Sequence, residues 1–309
     1  MKVRGRFAAV MMIAGLALHL DAFTQSSASA KSGVYVPVTT PASGTINLYA
    51  EEHGHGRPIL MIHGLAASTY TWRNIVPTLA RKNRVITLDM KGFGRSDKPF
   101  DTAYSSHDHA DLIVAFIRKT KLRNFTLIGH SYGGAVSLLV AEKLRRAGER
   151  RIRNMVIMNA PAFPQKPTPF ISFMGTLVLP YAVMSLIPPE LTAWSSLEPE
   201  NVLRTSFEDI TAYARPYWQA SARHALISTA RQIVPDDLDA ILHGYRKLHQ
   251  PTLVIWCDRD KTVPIKTGRR LARTLPNARF RVIKGCFHAP QDEQPKAFLR
   301  RIRPFINRH

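Results

Sequence analysis

The segment Gly129-His130-Ser131-Tyr132-Gly133 joins an apolar run, Phe125 to Ile128, to a helical pattern that begins at Gly133. A chain that reverses sharply between a strand and a helix needs small residues at both ends of the turn, because bulky side chains there would collide. The turn would expose the hydroxyl of Ser131 above a sheet and near a helix N-terminus, where developing negative charge is favoured. The pattern G-x-S-x-G in this context predicts a nucleophilic serine, and the alternative is an ordinary glycine-rich turn.

Short β-branched runs alternate with longer helical stretches along the chain. This alternation predicts an α/β fold with a mostly parallel sheet and helices on both of its faces. Two early runs, 34–38 and 45–50, fit an antiparallel pair at the sheet edge. A helix is expected over 72–82. The other predicted strands cover residues 57–62, 84–88, 124–128, 154–158, 252–256 and 279–283.

From Pro161 to about Gly244 the alternation stops, prolines become dense, and the pattern is helical without strands. A helical block inserted in an α/β core is best interpreted as a cap over the carboxyl ends of the strands. The predicted organisation is therefore a first core part at 31–160, a cap at 161–244 and a second core part at 245–309.

Serine needs an adjacent base to accept its proton. His288 is the candidate because it follows the last predicted strand, late in the chain. The acid is expected between nucleophile and base in chain order. Asp258 and Asp260 both follow the strand at 252–256, whereas Asn159, in the equivalent loop after the preceding strand, carries no charge. An aspartate here would orient the imidazole and stabilise the imidazolium.

The oxyanion formed during attack needs backbone donors already in place. Tyr132, directly after the nucleophile, is expected to supply one N–H and Leu65 the second. His63 is expected to brace the Leu65 turn. No metal or other cofactor is predicted, since the spacing of His107 and His109 without a further ligand cluster fits a helix start better than a metal site.

Residues 1–30 have the pattern of an export signal. Three basic residues precede an apolar run from Phe7 to Leu20, and a polar stretch ends in Ala28-Ser29-Ala30, which suits a signal peptidase. The run is shorter than the about 20 residues that a membrane-spanning helix needs. We expect cleavage after Ala30 and a periplasmic or secreted product; the alternative is an uncleaved membrane anchor.

The formal charge is +21, from 43 Lys and Arg against 22 Asp and Glu. Residues 1–30 hold three of these cations and one acid, so the remainder carries +19. The cations are spread along the chain and no nucleic-acid-binding module is recognisable, so nucleic acid is not an expected partner. A generally basic surface is the simpler interpretation, and peripheral association with an anionic membrane is the sharper one.

Together these segments resemble the α/β-hydrolase superfamily, in particular its cap-bearing branch of esterases and C–C bond hydrolases. The resemblance extends over almost the whole chain after residue 30. The matching segments are His63-Gly64, Asp89 with 92–96, 129–134, 256–264, and His288 followed by Glu293 and Pro295.

The resemblance implies an eight-stranded sheet and makes Asp260 the acid, with Asp258 second. It also implies that the loops after the last two strands are neighbours, so that Cys257 and Cys286 are candidates for a disulfide. Relatives that attack with aspartate, such as haloalkane dehalogenases and epoxide hydrolases, are excluded because position 131 is serine.

The cap is the only guide to substrate. Residues 169–189 are rich in apolar side chains and carry no charge. They either pack the cap on the core or form an apolar pocket, for which Phe163, Phe170 and Phe173 are the candidate substrate-binding residues. The leading hypothesis is hydrolysis of an apolar carboxylic ester through an acyl-Ser131 intermediate. The alternatives are C–C cleavage of a diketone-like acid by the same residues and a binding protein with little turnover.

Overall fold

Eight short runs of apolar and β-branched residues form one eight-stranded sheet. The computed structural model describes residues 33–176, 178–195 and 205–308. Residues Lys31–His309 form a unit of their own. The strands are β1 Val34–Thr40, β2 Gly44–His53, β3 Arg57–Ile62, β4 Asn83–Leu88, β5 Phe125–His130, β6 Ile152–Met158, β7 Thr252–Cys257 and β8 Ala278–Ile283.

The strands are ordered β1-β2-β4-β3-β5-β6-β7-β8. β1 pairs antiparallel with β2 and β2 antiparallel with β4, while the other neighbours are parallel. Every residue of β5 and β7 is buried, as expected of strands covered on both faces. The predicted mostly parallel sheet, with an antiparallel pair at its β1 side, is confirmed. The parallel strands β3, β5, β6, β7 and β8 all end at the same side of the sheet, which we call its carboxyl edge.

Helices connect the strands and cover both faces of the sheet. Among the described residues between β6 and β7, all regular elements are helical. The helices are α1 Val76–Leu79, α2 Ser106–Lys119, α3 Tyr132–Arg146, α4 Pro169–Met174, α5 Leu179–Leu186, α6 Pro189–Ser195, α7 Phe207–Ala214, α8 Ala220–Arg231, α9 Leu238–Tyr245, α10 Ile265–Thr274, α11 Pro290–Glu293 and α12 Pro295–Arg308. We call α4 to α8 the cap helices.

The prediction of a helix over residues 72–82 is wrong. The structure has a 3₁₀ turn at Thr69–Trp72 and the single turn α1, with Pro77 in its first turn. Proline lacks the backbone N–H that a helix running through it would need, so a helix can begin there but cannot continue through it from Trp72.

The predicted export signal, residues 1–30, lies outside the described residues. No helix in the described part of the chain combines the length and apolar character needed to cross a bilayer.

Candidate active site

Ser131 sits at the junction of β5 and α3 with a φ of 51°, in a region that non-glycine residues rarely adopt. The turn is tight. A Cβ on Gly133 would stand 2.1 Å from the carbonyl oxygen of His63, and a Cβ on Gly129 would stand 2.6 Å from the carbonyl oxygen of Gly133. The two glycines are therefore required by close backbone approach, and they hold the serine at the carboxyl edge of the sheet.

A chain of hydrogen bonds connects the three predicted catalytic side chains. Ser131 Oγ lies 2.9 Å from His288 Nε2, and His288 Nδ1 lies 3.0 Å from Asp260 Oδ2. The side chain of Asp260 is fully buried, whereas that of His288 is partly exposed. This arrangement lets the imidazole accept the serine proton at Nε2 while Nδ1–H donates to the carboxylate.

Two further donors fix the Asp260 carboxylate. Asn159 Nδ2 donates to Oδ2 at 2.6 Å and the Val263 amide donates to Oδ1 at 2.8 Å. Asp258, the second candidate acid, instead accepts from the Cys286 amide at 3.3 Å. The structure thus places Asp260, and not Asp258, beside His288. Asn159, which the sequence analysis considered only as an uncharged residue unable to serve as the acid, donates a hydrogen bond to Asp260.

The loop that carries His288 is held by a carboxylate and a second histidine. Glu293 accepts from the amides of Phe287, His288 and Ala289 at 2.6 to 2.8 Å. The His130 ring nitrogen Nε2 lies 2.9 Å from the carbonyl oxygen of His288. Sequence reasoning missed both roles; the only signal was the presence of Glu293 and His130 in the motifs shared with the family.

A disulfide joins Cys257, the last residue of β7, to Cys286 in the histidine loop, with a Cα–Cα distance of 4.8 Å. Both residues are completely buried. The bond ties the loop that carries Asp260 to the loop that carries His288, as the resemblance implied.

We expect the double substitution Cys257→Ser/Cys286→Ser to lower the unfolding free energy by about 3 kcal/mol, because the bond closes a loop with a sequence separation of 29 residues in the unfolded chain. Urea unfolding of both proteins measures the difference. Dithiothreitol should shift the wild-type midpoint towards that of the variant and leave the variant unchanged. Equal midpoints without reductant would contradict the expectation.

The predicted oxyanion donors border the nucleophile. Tyr132 is the first residue of α3, where backbone N–H groups lack intrahelical acceptors. Leu65 lines the same cavity as Ser131. A Cβ on the adjacent Gly64 would stand 3.2 Å from Ser131 Cβ, which shows how closely this turn approaches the serine.

His63 braces the turn before Leu65. Its Nδ1 lies 2.7 Å from the carbonyl oxygen of Gly64, and its Nε2 accepts from the Met90 amide at 3.0 Å. Burial lowers the pKa of His63 to about 4. Both ring nitrogens are occupied, so His63 holds the backbone and does not face the serine.

Buried histidines predict acid sensitivity. Burial lowers the pKa values of His63 and His109 to about 4 and that of His130 to about 3, from 6.5. As the pH falls below 6.5, these three histidines therefore become protonated in the unfolded chain but stay neutral in the folded chain. Burial raises the pKa of Asp89 to about 6, so between pH 7 and pH 5 the folded chain takes up roughly one proton that the unfolded chain does not, and this partly offsets the effect of the histidines. The unfolding free energy should thus fall by roughly 4 kcal/mol between pH 7 and pH 5.

Urea unfolding at pH 7, 6 and 5 measures this slope. His109→Gln should make the slope shallower by about one proton, since it removes one of the three histidines. Stability that stays level or rises as the pH falls would contradict the argument.

A cavity of about 430 Å³ opens at Ser131 and His288, between the core and the cap helices. Of the three candidate substrate-binding residues, Phe170 belongs to the cavity wall. Phe163 and Phe173 do not: Phe163 is buried against Tyr245 with Arg270 over its ring, and Phe173 packs on the main apolar core. The apolar part of the wall consists of Leu65, Ala66, Ala67, Phe170, Met184, Pro189, Ala193, Ile210, Tyr217, Leu226 and Ala289.

One wall of the cavity carries a charged cluster that joins the cap to the core. Arg73 lies 2.5 Å from Asp209 on α7 and 2.6 Å from Asp292 on α11. Tyr70 donates to Asp209 at 2.9 Å and Tyr213 donates to Asp292 at 2.7 Å. Arg73 is the only Lys or Arg among the described residues that line the cavity, and its charge is already met by two carboxylates.

Residues 57–295 match the family model described as alpha/beta hydrolase fold. The chain is 27% identical to the uncharacterized hydrolase YugF of Bacillus subtilis, over 84% of this chain and 94% of that protein. It is 25% identical to the 2-hydroxy-6-oxo-2,4-heptadienoate hydrolase of Pseudomonas putida, over 85% and 94%. Among solved structures, a thermophilic esterase from Thermogutta terrifontis superposes with a TM-score of 0.75 at 25% identity, over 89% and 98%.

Proposed function

The chain belongs to the α/β-hydrolase family, and we propose that within this family it is a serine hydrolase that cleaves uncharged, apolar carboxylic esters. The observation that carries the proposal is the hydrogen-bonded series Ser131–His288–Asp260 at the mouth of a largely apolar cavity. The similarity to a solved esterase supports the same class.

In the proposed reaction, Ser131 Oγ attacks the ester carbonyl while His288 Nε2 takes its proton. The amides of Tyr132 and Leu65 stabilise the oxyanion, and Asp260 stabilises the imidazolium. The imidazolium then donates its proton to the departing alcohol, which leaves an acyl-Ser131 ester. Water, deprotonated by His288, then attacks the carbonyl of this ester. The bond between the acyl carbon and Ser131 Oγ breaks as the imidazolium returns its proton to Oγ, which releases the carboxylic acid and restores the free serine.

The charges of the cavity favour an uncharged substrate. A carboxylate on the substrate would need a cation, and Arg73 is already held by Asp209 and Asp292. An anion placed beside these two carboxylates would lose its hydration without gaining a partner, which is costly.

C–C bond hydrolysis is the second candidate, because the similar Pseudomonas putida protein is a hydrolase of 2-hydroxy-6-oxo-2,4-heptadienoate, a carboxylate by its name. The same three residues can serve that reaction. It would require a cation for the substrate carboxylate, and therefore a rearranged Arg73 cluster.

Two p-nitrophenyl esters with the same four-carbon acyl chain separate the candidates. We expect kcat/KM for the hydrogen succinate to be at least about tenfold below that for the butyrate, because 1.4 kcal/mol of lost carboxylate hydration suffices for that ratio. Asp209→Asn, which removes one of the two anions at Arg73, should narrow the ratio. A preference for the succinate would favour an acidic substrate and overturn the proposal.

A series from acetate to palmitate would then size the acyl site. If no ester in the series is hydrolysed faster by the wild type than by Ser131→Ala, ester hydrolysis is wrong. C–C hydrolysis or ligand binding would then take its place.

We further propose that the protein is exported through residues 1–30. The disulfide between two completely buried cysteines supports this, since such bonds persist in oxidising compartments and are rare in the cytosol. Fractionation of cells that express the full chain, with N-terminal sequencing of the product, tests export and cleavage after Ala30.

A further inference from the structure

The final 45 residues carry an uneven share of the charge. Residues 265–309 contain 12 of the 43 Lys and Arg but only two acids, Asp292 and Glu293. Both acids are directed to the active-site region, where they bind Arg73 and the His288 loop. This segment alone therefore accounts for about half of the net positive charge of the chain.

These twelve cations lie on the strand β8, directly after it, or on the two helices α10 and α12. β8 is the last strand in the sheet order, and α10 and α12 pack on opposite faces of β7 and β8. We call the surface formed by α10, β8 and α12 the basic edge. Its cations are all exposed and consist of Lys266, Arg269, Arg270, Arg273, Arg279, Arg281, Lys284, Lys296, Arg300, Arg301, Arg303 and Arg308.

Within the described part of the chain, none of the twelve has a carboxylate within 4 Å. Elsewhere some cations are paired, as Arg118 with Glu149 and Lys143 with Asp111, and others, such as Lys119 and Lys121, have no carboxylate within 4 Å among the described residues. Protection of an edge strand against aggregation accounts for Arg279 and Arg281 on β8. It does not account for the cations along the two helices, which are separate from the strand edge.

A recess of about 180 Å³ lies at the end of α12. Arg303 from α12 meets Arg81 and Lys82 from the loop before β4 around it. Cations from two distant parts of the sequence thus converge on one small site, which suits a phosphate-bearing headgroup.

We propose that the basic edge docks the protein on an anionic phospholipid surface. The positive charge complements acidic headgroups, each cation near them strengthening binding by about fivefold. Large apolar side chains on the cap, Val178 at 74% and Leu186 at 84% exposure, are compatible with contact to lipid. Every phenylalanine of the basic edge is buried or half-buried, so the surface lacks the exposed rings on which bases of single-stranded nucleic acid stack.

The test uses the chain from Lys31, which forms a unit of its own, so that residues 1–30 do not contribute. Its co-sedimentation is measured with vesicles of phosphatidylcholine alone or with 30% phosphatidylglycerol, in low and high salt. The edge variant is Arg269→Gln/Arg273→Gln/Arg300→Gln/Arg303→Gln. The control variant, Lys119→Gln/Lys121→Gln/Arg123→Gln/Arg150→Gln, removes the same charge from exposed positions before β5 and β6.

We expect the wild-type chain to bind only the vesicles that contain phosphatidylglycerol, and high salt to weaken this binding. The affinity of the edge variant for these vesicles should be at least tenfold lower, and that of the control variant should stay within twofold of wild type. Both variants should hydrolyse a soluble ester as wild type does, and Ser131→Ala should bind vesicles normally, so docking and catalysis are tested separately. Equal losses in both variants, no binding by the wild type, or tighter binding to a short duplex DNA than to vesicles would each overturn the proposal.

Discussion

Replacing Ser131 with alanine is expected to lower kcat for ester hydrolysis by about four to six orders of magnitude, because in the proposed reaction the acyl intermediate forms on the oxygen that this substitution removes. The substitution removes only the Ser131 oxygen, which forms a hydrogen bond of 2.9 Å with His288 Nε2, and leaves the cavity in place. Substrate binding should therefore persist. Burst and steady-state measurements with p-nitrophenyl butyrate, together with binding of an unreactive ether analogue, separate the two effects.

A second substitution at this position tests the strained turn independently. With φ at 51°, glycine should be tolerated better than alanine, by about 1 kcal/mol or more of unfolding free energy. Ser131→Gly and Ser131→Ala should thus be equally inactive but differ in thermal stability. Substantial activity in either variant would refute the role of Ser131 as nucleophile.

Replacing Asp260 with asparagine should lower kcat by about 10⁴-fold, because an amide neither stabilises the imidazolium nor selects the correct tautomer of His288. The loss should be specific to this carboxylate. Asp258→Asn, two residues away, removes an equal charge from a group that binds only the Cys286 amide in the described contacts. We expect that variant to remain within about tenfold of wild type; equal losses in the two variants would contradict the assignment.

Local patterns predicted the strands because each is a short run rich in apolar or β-branched residues, largely buried in β3 to β7 and partly exposed in β1, β2 and β8. They predicted Ser131 because the turn that carries it has strict steric needs. The choice between Asp258 and Asp260 was different. Both residues stand in the same loop, and residue type alone could not separate them; family resemblance favoured Asp260. In the structure the two carboxylates are directed to different partners, one to His288 and the other to a backbone amide.

The residues of the cap that line the cavity could not be predicted from the sequence, for two physical reasons. Residues 169–189 are mostly apolar and carry no charge, so the sequence does not indicate which aromatic ring faces the cavity. Of the three candidates Phe163, Phe170 and Phe173, only Phe170 lines it. The charged wall depends on Arg73 and Asp209, which are 136 positions apart in the sequence. Neither residue carries a local signal that connects it to the other.

All cap residues of the cavity wall fall within 169–231, between β6 and β7, whereas Ser131, Asp260 and His288 lie outside that stretch. In the proposed reaction, the cap side of the substrate cavity is thus encoded apart from the three residues that would cleave the bond, while Leu65, Ala66 and Ala67 of the core complete the wall. A single recombination or insertion event in this interval can replace one side of the pocket without changing Ser131, Asp260 or His288. In evolution and in the laboratory, selectivity and reactivity can therefore change one at a time, with the Arg73 contacts to Asp209 as the main junction that a new cap must reproduce.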